Sequence, residues 1–410
     1  MANELSALAE IAGETIDRLA LAPGQSLHAA IAGRVFGNTP ASQPVRAVHD
    51  AVAGALWGAA RATVSGGAAA AATAIRAAGG DADVRPLTRS RPGRLAVSAV
   101  SGLIGDRLEE LDSDLAVPMS VRRHAADVAC DAASLRRAFP RATPRIAVFL
   151  HGLAETEEWW QRRTAPSGGE DRRPFGVRLR RDLGLTPVYL RYNTGLHVSD
   201  NGERLSALLQ RLVEAWPVPV SDLVLVGHSM GGLVARSACV HADELEHGWT
   251  PSLRHVVTLG TPHHGAPLEK AVHAAALLLR AVPEARPLAE ILDLRSAGIR
   301  DLRFGNLRAI DWQGEGPGEL LRDRRGEAAL AAGCNHTFIT ATVTRDPRHP
   351  LGWLVGDLLV RTESAGGRCR ERTIPVPEDA VVHLGGLTHF DLLDHPMVYQ
   401  RLREVLARNV

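Results

Sequence analysis

The chain has 410 residues, 45% apolar and 23% charged, with a formal net charge of +1. That length implies two units or one large unit with an appendage, and the composition is that of an ordinary globular protein. The near-neutral charge, with scattered arginines and Lys270 as the only lysine, excludes the phosphate-neutralising stripe of a nucleic-acid binder.

Residues 1–115 form an Ala- and Gly-rich region expected to be helical, with breaks at Pro23-Gly24, Gly66-Gly67 and Gly79-Gly80. Gly54 and Gly58 make a small-xxx-small pair, which predicts a second helix packed closely there. The first residues carry Glu4, Glu10, Glu14 and Asp17 and lack the basic start of a secretory signal. The apolar stretch 51–79 is cut by Arg61 and Arg76 and falls short of a membrane span. A cytoplasmic location is expected, with any membrane contact peripheral, through these helices or through the cap described below. Cys130, Cys239, Cys334 and Cys369 lie far apart without metal-ligand spacing, so free thiols are expected and neither metal nor cofactor.

From residue 116 to 410 the pattern alternates strand and helix. MSVRRHAADVAC reads as a hairpin and DAASLRRAF as a short helix capped by Asp131. Apolar runs at 146–150, 187–192, 223–226, 255–259, 337–343 and 380–384 have the length of buried parallel strands. Helical segments separate them at 202–216 and 231–242, and 390–407 reads as one closing helix. The fold class is therefore α/β, a doubly wound and mostly parallel sheet, whose sites lie at the carboxyl ends of its strands. The rhythm breaks over about 266–330, where AVHAAALLLRAV and PLAEILDLRSAGI read as a helical cap or lid inserted above the sheet.

Gly227-His228-Ser229-Met230-Gly231 fits G-x-S-x-G, a pattern that chance supplies about 0.2 times in a chain this long. Its context is what makes it informative. An apolar strand precedes it, a helix follows, and glycines relieve crowding around a serine on a sharp turn, which lifts the hydroxyl out of the core. Such a hydroxyl needs a base, and an acid to orient the base, in the chain order Ser, acid, His. His389 follows the last strand and is the expected base, whereas His383 lies within that strand and His395 inside the closing helix, so both are expected to be structural. Asp357 is the expected acid and Asp346 its rival. Oxyanion donors are expected from the N–H groups of Met230 and Leu153, the latter in His151-Gly152-Leu153 after an early strand. His151, Gly152, His228, His263 and His264 are expected around the substrate pocket, the last two without a partner set for metal. Trp159-Trp160 either lines the acyl entrance or packs its loop.

LHGL, GHSMGGLVAR, TLGTPHHGAPLEKA, GDLLV and HFDLLDHP, in that order, resemble the α/β-hydrolase lipases and esterases, most nearly the bacterial branch related to the GPI inositol-deacylase-like proteins. The resemblance covers about residues 117–405. It implies Ser229 as nucleophile, His389 as base, Asp357 as acid, and Leu153 and Met230 as oxyanion donors. Many lipases carry Gly after the acid, where this chain has Leu358. The expected function is hydrolysis of a hydrophobic small-molecule or lipid ester; GPI itself is not the expected substrate. Two alternatives stay open: acyl transfer or thioester cleavage by the same residues, and a non-catalytic scaffold that binds a partner or a membrane surface.

Overall fold

A computed structural model of the chain describes residues 4–36, 43–77, 87–162, 171, 173–266, 269, 295–313, 323, 325–326, 328–346, 349, 355–370 and 372–408. These fall into two compact units, one from Met1–Val97 and Leu108–Ala116, the other from Ser98–Arg107, Val117–Glu269 and Ser296–Val410.

In the first unit, α1 (Glu4–Ile16) runs through a π-turn at Asp17–Leu21 into α2 (Ala22–Phe36), and α3 is the 35-residue helix Gln43–Ala77. The expected breaks at Pro23-Gly24 and Gly66-Gly67 are absent, because both pairs sit inside helix; Gly79-Gly80 lies outside the described residues. A glycine costs a helix only about 1 kcal/mol relative to alanine, and here that cost is spread over many alanines. The Gly54/Gly58 reading is also corrected, since a Cβ at either position would meet nothing within 4 Å among the described residues. Close packing uses Gly13 instead, where an added Cβ would lie 2.5 Å from Ala68 Cβ, so that α1 presses on α3. Among the described residues, no helix is long and apolar enough to cross a membrane.

In the second unit, eight strands form one sheet in the order β2-β1-β4-β3-β5-β6-β7-β8. The hairpin β1 (Ser120–Arg123) and β2 (Ala126–Val128) forms as expected, and β1 runs antiparallel to β4 (Thr186–Arg191). From β4 across β3 (Arg145–Leu150), β5 (Asp222–His228), β6 (Leu253–Leu259), β7 (Asn335–Thr342) and β8 (Val381–Gly385) every pairing is parallel. The order and the single antiparallel flank are those of an α/β-hydrolase sheet, with helices on both faces.

The period-2 geometry of a strand divides its side chains between two cores. Ile146, Val148, Leu150, Leu223 and Leu225 pack with Leu205, Leu209 and Leu212 of α7 (Val198–Ala215) and Leu233 of α8 (Met230–Glu244). Ala147, Phe149, Val224, Val226 and Ile339 pack on the other side with Phe175 and Leu179 of α6 (Phe175–Leu183) and with Val398 and Leu402 of α9 (Pro396–Leu406). Each fully buried Leu or Phe contributes roughly 1.5–3 kcal/mol. The middle strands are apolar on both faces because both faces are covered.

Three smaller features complete the frame. α4 (Arg91–Glu110) departs from helical geometry at Ile104, and α5 (Ala132–Ala138) is capped by Asp131, which accepts from Ser134 N at 2.9 Å. The closing segment is not one helix: His389–Leu393 forms a 3-10 turn and α9 starts after it, with Pro396 in its first turn. Proline is tolerated at that first position but breaks a helix interior. His395 therefore lies at the amino-terminal cap of α9, not within a helix, and accepts from Met397 N at 3.3 Å. Of the expected cap helices, 271–282 and most of 287–299 lie outside the described residues, and Ala297–Asp301 is helical.

Since Gly66 and Gly67 are exposed in mid-helix and an added Cβ at either would meet nothing within 4 Å among the described residues, replacing both by alanine is expected to stabilise α3 by about 1–2 kcal/mol. Urea unfolding followed by far-UV circular dichroism checks this, and an unchanged or lowered midpoint contradicts it.

Candidate active site

At the carboxyl end of β5 the chain must reverse into α8 within one residue. Ser229 makes that reversal at φ +52°, ψ −123°, a region that L-residues occupy only under strain. Both of its main-chain groups are pinned. Its N–H donates to Leu259 O at 2.9 Å, and its carbonyl accepts from Thr261 Oγ1 at 2.9 Å and Gly232 N at 3.1 Å. Two glycines make the turn sterically feasible: a Cβ on Gly227 would lie 2.5 Å from Gly232 N, and one on Gly231 2.6 Å from Leu150 O.

The loop after β3 closes on this turn. A Cβ on Gly152 would stand 3.1 Å from Ser229 Cβ and equally close to Glu155 Oε2. Glu155 N donates to Gly152 O at 3.2 Å, while the Glu155 carboxylate accepts Gly152 N–H at 2.6 Å, so the loop is bonded to itself in both directions. Leu153 follows, and among the described residues neither its N–H nor that of Met230 donates in a turn, loop or cap. Further along, Glu157 is buried between Arg191 (2.7 and 2.8 Å) and Arg122 (3.2 Å), which ties the loop to β4 and β1.

His389 and Asp357 meet through two bonds. His389 Nδ1 lies 2.7 Å from Asp357 Oδ2, and His389 N donates to Asp357 O at 2.9 Å. An ionised carboxylate can only accept, so Nδ1 is the donor in this contact. The other Asp357 oxygen accepts from Leu359 N at 3.1 Å and Val360 N at 2.9 Å. Both residues are buried, whereas Asp346 is exposed. A Cβ on Gly260, at the end of β6, would lie 3.1 Å from both His389 Cε1 and Asp357 Oδ2. The pair thus sits one residue beyond Leu259, whose carbonyl holds Ser229 N. Among the described residues no hydrogen bond joins Ser229 Oγ to the imidazole.

Beneath the catalytic candidates lies a second histidine–carboxylate contact with no counterpart in the sequence expectations. His228 is fully buried, with Nδ1 3.0 Å from Glu155 Oε2 and Nε2 3.1 Å from His389 O. Its ring faces that of His389 at a centroid distance of 4.6 Å. Burial by itself would push the His228 imidazole down, but the Glu155 charge and hydrogen bond outweigh it and raise its pKa. Burial would likewise raise the Glu155 carboxyl, and the His228 charge and bond hold it below the usual range. Glu155 escaped the sequence reading because a glutamate in a loop looks solvated, and no local spacing signals its partner.

The remaining expected residues are equally well located. His151 is buried, stacks on Tyr192 at 4.4 Å, and bonds through Nδ1 to Gly152 O at 2.9 Å; desolvation keeps its pKa low. His263 is buried between Arg236 NH1 and Thr258 Oγ1, both at 3.1 Å, and His264 Nδ1 lies 3.3 Å from Arg325. Burial pushes His264 down to about 4. Among the described residues there is no cluster suited to a metal ion. His383 bonds to the hydroxyls of Thr340 and Thr342 within the sheet. Trp160 is buried on Phe149, and Trp159 lies 5.3 Å from Phe390. Val355, Leu358, Leu359 and Phe390, which flank Asp357 and His389, are exposed apolar side chains.

Leu358 stands at φ +91°, which explains the Gly found there in many lipases, and Gly356 at φ +64° begins the same turn. Leu358→Gly is expected to raise stability by up to about 1 kcal/mol through relief of strain. Gly356→Ala, whose Cβ would overlap the Val360 carbonyl, is expected to lower it. Thermal melting of both variants checks the pair, and equal shifts in one direction contradict the reading.

A family model described as PGAP1-like alpha/beta domain matches residues 192–285, the stretch that carries α7, the Ser229 turn and the His263-His264 loop. No curated protein matches the chain. Among solved structures, the Bacillus licheniformis lipase BlEst2 in mature form is 19% identical, with 65% of this chain and 92% of that one covered and a TM-score of 0.40. EstA from Clostridium botulinum is 14% identical over 65% and 87%, with a TM-score of 0.39. A hyperthermophilic esterase from Pyrobaculum calidifontis is 13% identical over 65% and 75%, with a TM-score of 0.37. By its sheet order and its strand–serine–helix turn the chain has the α/β-hydrolase fold, and over residues 192–285 it resembles the PGAP1-like α/β domain.

Proposed function

We propose that the protein is a serine hydrolase of carboxylic esters with Ser229, His389 and Asp357 as its triad. The observation that carries this reading is the strained backbone of Ser229, which faces the loop after β3 and lies beside a buried His389–Asp357 pair. Backbone strain of this kind costs about 1–3 kcal/mol and persists only where the surroundings enforce it.

Ser229 Oγ attacks the ester carbonyl while His389 Nε2 takes its proton, and Asp357 stabilises the resulting imidazolium. The Ser229–His389 hydrogen bond closes when substrate binds, as catalytic contacts often tighten from the free state. The N–H groups of Leu153 and Met230 receive the oxyanion, aided by the positive end of α8. Collapse of the tetrahedral intermediate expels the alcohol with the proton from His389. Water, deprotonated by the same ring, then releases the acid from the acyl-enzyme. The exposed apolar residues Val355, Leu358, Leu359 and Phe390 beside the acid and base favour a hydrophobic ester.

A fluorophosphonate probe is expected to label the wild type and to fail on Ser229→Ala and His389→Ala. Asp357→Asn is expected to lower kcat on p-nitrophenyl esters roughly a thousand- to ten-thousandfold, and Asp346→Asn to leave it within about twofold, since an exposed surface change seldom reaches the site. Labelling that survives loss of the 229 hydroxyl, or an Asp346 variant that fails like the Asp357 one, sinks the assignment.

A further inference from the structure

We propose that Glu155 and His228 form a buried ion pair that acts as a positioning device, one carboxylate holding both the oxyanion loop and the turn that carries the base. This deepens the reading above and rests on it for its catalytic consequence, although the ion pair itself stands on geometry alone.

The proton count follows from the partners. His228 Nε2 faces a main-chain carbonyl, His389 O at 3.1 Å, which can only accept. Nδ1 faces Glu155 Oε2 at 3.0 Å, and that same oxygen already accepts Gly152 N–H at 2.6 Å. A carboxylate oxygen that accepts from a backbone donor is best satisfied ionised, and then both ring nitrogens of His228 must donate. The ring is an imidazolium. Neither side chain reaches bulk water, since His228 is 0% and Glu155 4% exposed. An unpaired charge at such depth is costly, so neither group ionises without the other. The groups facing the pair are Asp357 and the His389 ring on one side and His151 and Tyr192 on the loop side, with the Trp160 ring 6.3 Å away closing another.

The consequence is mechanical. Gly152 precedes the proposed donor Leu153, and the His389 carbonyl belongs to the proposed base. One chain of bonds, Gly152 N–H to Glu155 to His228 to His389 O, spans the gap between them, and His228 is covalently next to Ser229. Three parts that must stay within about half an ångström of register share a single tether. Neither Glu155 nor His228 is placed to touch substrate, so both are positioning residues.

Glu155→Gln is the informative variant, being nearly isosteric but unable to balance an imidazolium. In wild-type protein labelled with 15N in its histidine rings, one buried histidine is expected to keep both ring protons above the ordinary histidine range. In Glu155→Gln that signal is expected to convert to a neutral tautomer, with unchanged far-UV circular dichroism. On p-nitrophenyl butyrate the same variant is expected to lose tenfold to a hundredfold in kcat with KM nearly unchanged, the mark of lost alignment and not of lost binding. A ring in the wild type that loses its second proton within or below the ordinary histidine range overturns the ion pair whatever the activity. Full kcat in Glu155→Gln, with Ser229→Ala inactive, overturns the positioning role alone. A wild type inert to the ester and to fluorophosphonate instead counts against the hydrolase reading, and the ring spectrum still decides the pair.

Discussion

Everything at this site depends on keeping Ser229 in a conformation it would not choose. The strain is of the order of 1–3 kcal/mol, a sizeable part of the net stability of a typical domain. It is offset by bonds that would be lost if the residue relaxed: the N–H to Leu259, and the carbonyl to Thr261 and Gly232. Because Leu259 ends β6, the next strand of the sheet, the strain is carried by the β5–β6 pairing and not by a flexible loop. The close approach of Gly231 to Leu150 O makes the β3 end a further support.

Parallel topology then does the gathering. In a parallel sheet all carboxyl ends lie on one edge. The loop after β3 brings Gly152 and Glu155, β5 runs into Ser229, β6 runs into Gly260, and β8 leads to His389. β7 contributes at one remove. Val343 N, just past its end, donates to Gly356 O at 3.0 Å, and Asp357 follows. Leu387 N in turn donates to Thr342 O at 2.9 Å, so the segments bearing Asp357 and His389 are each bonded to the β7 end as well as to one another.

Two histidine–carboxylate contacts lie back to back at this edge, and their surroundings differ. Asp357 is clamped by backbone donors from its own turn and by the His389 ring. Glu155 is clamped by one backbone donor and the His228 ring, with no exposed face on either partner. In a site of low local dielectric such pairs are costly to break and sharply oriented. Donating at both ends, the His228 ring links the Glu155 carboxylate to the His389 carbonyl, a main-chain group of the 3-10 turn.

The sequence by itself determined most of the elements and the place of the strained serine turn. Apolar runs of strand length, spaced by helical segments, specify a covered parallel sheet because nothing else buries both faces of 146–150 or 223–226. A serine between glycines at a strand–helix junction is legible because the steric demand of the turn is written in adjacent residues. Gly66-Gly67 misled because local punctuation was weighed without the alanine-rich helix around it, and His395 because the proline beside it starts a helix and does not sit inside one. Asp357 against Asp346 could not be resolved along the chain; only the folded turn shows which carboxylate is buried against the His389 ring and which is exposed. Glu155 and His228 were decided by tertiary structure alone. Their contact joins residues 73 positions apart, and a buried charge leaves no periodic trace in sequence, since its cost and its compensation exist only after the fold has removed the water.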